Sequence, residues 1–278
     1  MSNVPVVIII ITTIVSIIIP VLVILLINRK HKVKLWIKIS VPIIFTLVVN
    51  FVGFLCFFNV YYHATSEVKD YLKDDNEVKV YSKSNYYLFD NISNNDQALI
   101  FYGGAKVEEK SYAPMLNKIA HQGYDVFLTK MPLRFPLFAA GKANSIYKAN
   151  NTYNTYNTYQ DVYLMGHSLG GVCASMALQN TSLNYKGIVF LASYPSKPLD
   201  NKYKALSIYG SEDKVLNLKE YNNNISNFPT GYTQQIIEGG NHAYYGYYGN
   251  QKGDGNASIT REQQIDITVN YVIDFLNN

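Results

Sequence analysis

The order of apolar and polar positions divides the chain into two parts that differ in kind. Residues 4–27 and 39–62 form two long runs without a charged side chain. As an α-helix, each run would be about 36 Å long, which is enough to cross the ~30 Å hydrocarbon core of a bilayer. We therefore expect residues 1–62 to form a transmembrane hairpin, with helices over about 4–27 and 39–62 and a loop over 28–38.

A cleaved signal peptide is the alternative interpretation of the first run. Signal peptides begin with basic residues and carry an apolar stretch of roughly 7–15 residues. The chain instead begins Met1-Ser2-Asn3, without a positive charge, and its first apolar run is longer than such a stretch. The pattern therefore favours a membrane helix.

The rest of the chain alternates between two hydrophobic periods. Residues 63–77 are polar and acidic, and we expect them to form a connector to a domain over 78–278. In that domain, short apolar runs typical of strands alternate with segments of helical spacing. The alternation predicts an α/β fold, with a mostly parallel central sheet and helices on both faces. The predicted strands cover 78–81, 86–89, 98–102, 124–129, 161–165, 187–192, 205–209 and 234–237, and the clearest helices cover 111–122, 169–180 and 261–276.

Charge gives the predicted hairpin an orientation. Loops rich in lysine and arginine stay on the cytoplasmic side of a membrane. We therefore expect a multi-pass cell membrane protein with loop 28–38 in the cytoplasm and the domain after residue 62 outside it. The loop between the two apolar runs holds five basic residues and no acidic one: Arg29, Lys30, Lys32, Lys34 and Lys38.

Composition excludes several partners and cofactors. Of 24 basic residues, five lie in that loop, so the remainder of the chain holds 19 basic against 20 acidic residues and offers no basic surface for nucleic acid. Cys56 lies in the second apolar run and Cys173 in a predicted helix, where we expect a core residue and no disulfide. An exported domain without disulfides is typical of a bacterium. The histidines and acidic residues show no metal-ligand spacing, so we expect no metal and no other cofactor.

The candidate chemistry centres on the pentapeptide Gly166-His167-Ser168-Leu169-Gly170. The predicted strand 161–165 precedes it and the predicted helix 169–180 follows it. Parallel α/β sheets place their chemistry at the carboxyl ends of strands. Glycine two residues to either side of the serine removes side chains that would collide at a sharp strand-to-helix turn. We therefore predict that Ser168 is a nucleophile.

A serine hydroxyl needs a base, and histidine is the usual one because its pKa lies near working pH. The chain has five histidines. His31 lies in the basic loop, His63 follows the second apolar run, and His121 falls within a predicted helix. His167 adjoins the serine, and its ring is expected to point away because successive side chains of a strand face opposite sides. His242, just after the last predicted strand, is the predicted base.

The base in turn needs a carboxylate that fixes its tautomer and stabilises the imidazolium. Glu212 and Asp213 follow the predicted strand 205–209. Asp213 is favoured because a residue slightly further beyond the Gly-Ser turn can be aimed back at the histidine, and Glu212 is the alternative acid. The predicted chain order is Ser168, Asp213, His242.

This order and its strand-turn-helix context resemble the α/β-hydrolase family over residues 78–278. The resemblance is closest to compact bacterial carboxylesterase-like and dienelactone-hydrolase-like proteins, which carry a Gly-Gly loop after an early strand, here Gly103-Gly104-Ala105-Lys106, and a Gly-Gly-Asn-His loop with the base. The resemblance implies that the backbone N–H groups of Leu169 and Ala105 bind the oxyanion, with Lys106 as the alternative donor.

Other features have two interpretations or a minor role. Segment 193–204 is too short for the cap domain found in many members of that family, so we expect an open site roofed at most by loop 131–160. The Asn-Thr-Tyr triplets of 151–159 are interpreted as a surface loop rather than a ligand-binding array. Four tyrosines near the base either line an acyl pocket or are ordinary loop aromatics: Tyr244, Tyr245, Tyr247 and Tyr248.

These observations predict a membrane-anchored serine hydrolase that cleaves a carboxylic ester, or a similar acyl bond, of a small-molecule or lipid-like substrate. Two other functions are compatible with the same residues. One is an acyltransferase that uses the triad on a cell-envelope acceptor. The other is a catalytically silent domain that binds a partner at the membrane surface.

Overall fold

Two compact units make up the chain, Met1–Val60 and Tyr61–Asn278. The first is helical, and the second alternates strands and helices. The computed structural model describes residues 4–93, 96–150, 159–179 and 181–278.

The first unit consists of the helices α1 (Val4–Lys30) and α2 (Leu35–Asn59). Both are long and apolar enough to cross a membrane. Their large apolar side chains are mostly exposed, as Leu47 is at 65%. The second helix begins earlier than the predicted 39–62 and also ends earlier. It ends at Asn59 because the backbone becomes extended at Val60, with φ −91° and ψ 105°.

Polar side chains join these two helices in the middle of their apolar surfaces. The Thr13 hydroxyl donates to Asn50 Oδ1 at 2.8 Å. The Thr46 hydroxyl donates to the Ser16 carbonyl oxygen at 3.0 Å. Within α2, Asn50 Nδ2 also donates to the Thr46 carbonyl oxygen at 2.8 Å. Because lipid offers no hydrogen-bond partners, side chains that satisfy one another in this way stabilise helix pairing in a membrane.

The second unit is built on an eight-stranded sheet, and all eight predicted strands form. Their bounds are β1 Val78–Ser82, β2 Tyr86–Asn91, β3 Gln97–Tyr102, β4 Asp125–Thr129, β5 Asp161–His167, β6 Tyr185–Leu191, β7 Lys204–Gly210 and β8 Thr233–Ile237. The strand order in the sheet is β1-β2-β4-β3-β5-β6-β7-β8. The pairs β1–β2 and β2–β4 are antiparallel, and every pair from β4 through β8 is parallel.

Helices cover both faces of this sheet, because the strands alternate their side chains between two apolar cores. The helices are α3 Ala113–Ala120, α4 Lys142–Asn150, α5 Leu169–Gln179, α6 Leu218–Asn223 and α7 Arg261–Asn277. Leu99 and Phe101 of β3 join the core under α3 and α7, whereas Ile100 joins the core under α4, α5 and α6, where Cys173 is also fully buried.

Three segments differ from simple strand-helix alternation or from its predicted bounds. The observed helix α3 is shorter than the predicted 111–122. A 3-10 turn over Glu109–Tyr112 precedes it, and Pro114 lies in its first turn. In the predicted connector, the 3-10 helix Ser66–Leu72 buries Val68 in the core. The segment 192–203 between β6 and β7 contains no helix, so no cap domain is inserted there.

Candidate active site

Ser168 lies at the sharp turn between β5 and α5. Its φ of 55° places it in the left-handed region, which non-glycine residues seldom occupy. Its backbone is held on both sides, since the Ser168 N–H donates to the Leu191 carbonyl oxygen at 2.9 Å and the Ser193 hydroxyl donates to the Ser168 carbonyl oxygen at 2.7 Å. The residue is half-buried at the carboxyl end of the strand.

The two glycines of the pentapeptide allow backbones to approach closely. A Cβ on Gly166 would lie 2.5 Å from the Gly170 carbonyl carbon, and a Cβ on Gly170 would lie 2.3 Å from the Gly103 carbonyl oxygen. Both distances are too short for any side chain, so α5 can begin directly beside β5 and beside the loop after β3. The turn at Ser168 depends on this approach.

His242 and Asp213 meet at the carboxyl ends of β7 and β8. His242 Nδ1 lies 2.8 Å from Asp213 Oδ2, and both side chains are at most 2% exposed. The other carboxylate oxygen, Oδ1, accepts the N–H groups of Val215 and Leu216, each at 2.8 Å. Because Asp213 is an acceptor, His242 Nδ1 carries a proton, and in the neutral form of the ring Nε2 is the nitrogen with the lone pair.

The opposite nitrogen of the same ring, Nε2, is buried without a hydrogen-bond partner among the residues that the structure describes. Glu212, the alternative acid, is joined to this region through its backbone, since its N–H donates to the Gly240 carbonyl oxygen at 2.8 Å. The carboxylate that reaches the imidazole is therefore that of Asp213.

Two side chains that the sequence analysis did not single out hold the loop of His242. Asp254 accepts the N–H groups of His242 at 3.2 Å and of Ala243 at 2.9 Å. Gln264 of α7 forms a pair of hydrogen bonds with the Asn241 backbone, at 2.9 Å and 2.7 Å. Neither residue has a motif around it, so only the folded contacts reveal this role.

Tyr112 joins the loop after β3 to the residue before the serine. Its hydroxyl accepts the Gly104 N–H at 2.9 Å and lies 2.9 Å from His167 Nδ1. The hydroxyl has one proton to donate, so Nδ1 is the acceptor and the neutral His167 ring carries its proton on Nε2. Burial, and then the neighbouring His242, hold the pKa of His167 well below its usual value.

The expectation that the His167 ring points away from the site is wrong. Its centroid lies 4.6 Å from that of His242 and 5.3 Å from that of Tyr245. The alternation rule applies within a strand, and the chain leaves the strand at Ser168, so the two neighbouring residues are not on opposite faces of one sheet. The neutral ring of His167 thus packs against the ring of His242.

The predicted oxyanion donors lie at the ends of neighbouring parallel strands, since Tyr102 of β3 pairs with Gly166 of β5. Leu169 is the first residue of α5, so its N–H has no acceptor within the helix. The Lys106 N–H donates to the Arg134 carbonyl oxygen at 2.8 Å, whereas the Ala105 N–H makes no hydrogen bond within the described part of the chain.

The aromatic residues near the base are mainly structural. Tyr245, Tyr247 and Tyr248 are at most 8% exposed and belong to the core under α3 and α7, and Tyr244 packs against it. In the Asn-Thr-Tyr triplets, residues 151–158 lie outside the described residues. In the described residues, no three histidine, cysteine or acidic side chains are grouped so that they could hold a metal ion.

Comparison with known proteins identifies the family. A sequence profile of the Alpha/beta hydrolase family matches residues 98–266, which include the serine, the carboxylate and the histidine described above. The chain belongs to the alpha/beta hydrolase family. No curated protein matches this alpha/beta hydrolase in sequence.

Solved structures share the fold of this alpha/beta hydrolase at low sequence identity. A dienelactone hydrolase from Anabaena variabilis has a TM-score of 0.55 and 14% identity, with 72% of this chain and 99% of that chain covered. A ferulic acid esterase from Streptomyces cinnamoneus has a TM-score of 0.52 and 13% identity, with 67% of each chain covered. An alpha/beta hydrolase from a Medee basin deep-sea metagenome library, MGS-M1, has a TM-score of 0.51 and 14% identity, with 73% of this chain and 100% of that chain covered.

Proposed function

We propose that this alpha/beta hydrolase is a membrane-anchored serine hydrolase that cleaves a carboxylic ester or a similar acyl bond. The observation that carries the proposal is the buried pair of Asp213 Oδ2 and His242 Nδ1 at 2.8 Å, at the sheet edge where β5 ends at Ser168 with its left-handed backbone. His242 packs its ring against His167, the residue before the serine. A carboxylate-oriented imidazole that reaches such a serine activates its hydroxyl for acyl transfer.

The reaction follows from the atoms available. Ser168 Oγ attacks the carbonyl carbon while its proton passes to His242 Nε2, and Asp213 stabilises the imidazolium. The oxyanion is bound by the N–H groups of Leu169 and Ala105. The alcohol leaves with the proton from His242, and Ser168 keeps the acyl group as an ester. Water then adds by the same route, the acid is released, and Ser168 Oγ regains its proton.

The neutral ring of His167 supports this proposal. His242 must become cationic during each turnover, and a second positive charge 4.6 Å from its ring would oppose that step. The low pKa of His167 keeps the neighbour uncharged. Ala105 is preferred over Lys106 as the second donor because the Lys106 N–H already binds Arg134.

An ester is the preferred substrate class on two grounds. The proposed roles are a nucleophile, a base and backbone donors, and these would suffice for an ester with a good leaving group. Two of the proteins with the same fold are named as a dienelactone hydrolase and a ferulic acid esterase.

The membrane location is a further part of the proposal. We infer that residues 1–62 are the anchor, 63–77 the connector and 78–278 the catalytic domain. The basic loop 28–38 would then lie in the cytoplasm and the catalytic domain outside it. Protease added to intact cells is expected to cleave beyond residue 62, and protection of that region alongside a cleaved surface control would contradict this orientation.

A fluorophosphonate probe tests the catalytic part of the proposal. Full-length protein in detergent is expected to react at Ser168, and both Ser168→Ala and His242→Gln should abolish labelling. Ser175→Ala is the matched control, since this buried serine of α5 only donates to the Val172 carbonyl oxygen. A series of p-nitrophenyl esters of increasing length then measures the acyl preference. Folded wild-type protein that neither labels nor hydrolyses these esters would overturn the proposal.

A further inference from the structure

The loop between β4 and α4 exposes apolar side chains on the catalytic domain. Leu133 is 37% exposed, Leu137 47% and Phe138 49%. The loop follows the carboxyl end of β4, the same edge of the sheet that carries Ser168 and His242. Adjacent exposed large apolar side chains on a water-facing domain mark a contact surface.

The backbone of this loop is strained where the apolar group begins. Leu133 and Arg134 have consecutive φ values of 53° and 54°, in the left-handed region. Bulky side chains avoid this region, so surrounding contacts must hold them there. One such contact is the Arg134 carbonyl oxygen, which accepts the Lys106 N–H at 2.8 Å, directly after the predicted oxyanion donor Ala105.

Arg134 also joins the loop to the residues that leave the apolar helix α2. Its guanidinium carbon lies 3.5 Å from the centroid of the Tyr61 ring. The next residue, Tyr62, forms a parallel bridge with Val107, in which its N–H donates to the Lys106 carbonyl oxygen at 2.8 Å. The segment that emerges from α2 therefore holds both the apolar loop and the loop after β3.

The ring partner of Arg134 follows the second apolar helix closely in the chain. Helix α2 ends at Asn59, and Tyr61 is the second residue beyond it. Two residues of chain span at most about 7 Å. Aromatic and arginine side chains are also those that favour the headgroup region of a bilayer.

We propose that Leu133, Leu137 and Phe138 enter the interface of the bilayer, and that the site consequently takes acyl esters of bilayer-resident amphiphiles. The proposal rests on the proposed function and its membrane anchor. The other exposed large apolar side chains in the described part of the domain are dispersed: Tyr81 in β1, Ile92 after β2, Leu218 in α6, Ile225 in a 3-10 turn and Ile236 in β8. They have no comparable link to the segment after α2 and provide a matched comparison.

Fluorescence tests insertion independently of catalysis. Trp36 is the only tryptophan, so Trp36→Phe with Phe138→Trp gives full-length protein a single reporter in the loop. In phosphatidylcholine–phosphatidylglycerol proteoliposomes, we expect blue-shifted emission that brominated phosphatidylcholine quenches. The control, Trp36→Phe with Ile225→Trp, should emit as in water and escape quenching. Equal, unquenched emission from both reporters would overturn the proposal.

Kinetics test the substrate class. The variant Leu133→Ser/Leu137→Ser/Phe138→Ser is expected to keep hydrolysis of p-nitrophenyl butyrate within about twofold and to lose about tenfold in hydrolysis of a fluorogenic phospholipid ester in the same vesicles, because interfacial side chains add binding only at the bilayer. Leu218→Ser/Ile225→Ser/Ile236→Ser should change neither rate. Equal rates for wild type and loop variant on the phospholipid would overturn the substrate assignment.

The two experiments separate failure of this proposal from failure of the proposed function. Absence of activity on both esters in the wild type, with the Phe138→Trp reporter quenched, contradicts the hydrolase and leaves the interfacial loop supported. If the triple loop variant loses the soluble ester as well, the single variant Leu137→Ser must show the selective loss, and failure to do so counts against the substrate class.

Discussion

The two halves of the candidate site are held in place by different physical means. Beyond β7 and β8, Asp213 and Asp254 each accept two or more backbone N–H groups and so fix the loops around them. At the ends of β3 and β5, the loops are fixed by the close approach of the Gly103 backbone to Gly170 and by the neutral hydroxyl of Tyr112, which accepts the Gly104 N–H. The halves touch where the His167 and His242 rings meet.

Each half should therefore tolerate different substitutions. The carboxylate half depends on charge, so removing a charge without changing volume should damage it. The glycine and tyrosine half depends on volume and on one hydroxyl, so a change of a single atom should matter there. Substitutions that keep size and change only one property can therefore break one half at a time.

The largest effect is expected when the acid of the pair loses its charge. Asp213→Asn keeps the volume but places an amide against His242 Nδ1, which disrupts the tautomer and the stabilisation of the imidazolium. We expect kcat to fall about 10⁴-fold. Glu212→Gln is the neighbouring control and should leave kcat within about twofold, because the Glu212 backbone rather than its carboxylate joins this region. A larger loss for Glu212→Gln than for Asp213→Asn would mean that the assignment of the acid is wrong.

Asp254 tests whether the second carboxylate positions the base. In Asp254→Asn, an amide nitrogen replaces one acceptor of the His242 and Ala243 N–H groups, so the loop loses part of its support. We expect a loss of about 10- to 30-fold in kcat, since small displacements of a catalytic group are costly. Steady-state kinetics on p-nitrophenyl butyrate measures it.

The control for Asp254 is Asp200→Asn. Asp200 accepts the Lys202 N–H at 3.0 Å in an exposed turn outside the site. Asp200→Asn removes the same charge as Asp254→Asn and weakens the same kind of hydrogen bond. If both variants lower kcat equally, loss of charge rather than position of the base explains the effect.

Tyr112→Phe tests the other half by deleting one oxygen atom. The buried Gly104 N–H loses its acceptor and His167 Nδ1 loses its donor, so the loop that carries Ala105 is less well held. We expect kcat to fall about tenfold with a smaller change in KM, because the displaced N–H of Ala105 would bind the oxyanion of the transition state less well.

Tyr221→Phe is a matched control for this change. Tyr221 is likewise buried, and its hydroxyl binds Ser207 at 2.8 Å on the opposite face of the sheet. The free energy of unfolding of Tyr221→Phe should fall by about as much as that of Tyr112→Phe, while its kcat is unchanged. Equal kcat values for Tyr112→Phe and wild type would reduce Tyr112 to a structural residue.

Sequence patterns predicted the scaffold far better than the contacts within the site. The strands and their order of appearance followed from hydrophobic periods, and the pentapeptide at Ser168 marked a strand-to-helix turn, because both signals are local. The pairing of Tyr112 with His167, and of Asp254 with the His242 loop, joins residues that are distant in the chain and carry no motif. The direction of the His167 ring was mispredicted because a local rule was extended across the turn.

The smallest effect concerns stability alone and lies in neither half of the site. Asp90 of β2 neighbours Asp125, and burial, followed by the Asp125 charge, raises the pKa of Asp90 from 3.8 to about 6. The native state therefore binds a proton that the unfolded chain releases. This contribution to stability is complete at pH values below about 4 and is lost as the pH rises through 6.

Asp90→Asn mimics the protonated carboxyl group at every pH. Because Asp90 is partly exposed, solvent screening limits the gain to about 1 kcal/mol at pH 8. For a domain of this size the melting temperature should rise by about 2–4 °C at pH 8 and by progressively less between pH 6 and pH 4. Asp274→Asn, on the exposed side of α7, should show no such trend. A rise in melting temperature that does not depend on pH would show that repulsion between Asp90 and Asp125 is not its cause. A change in kcat would show that Asp90 affects catalysis although it lies in neither half of the site.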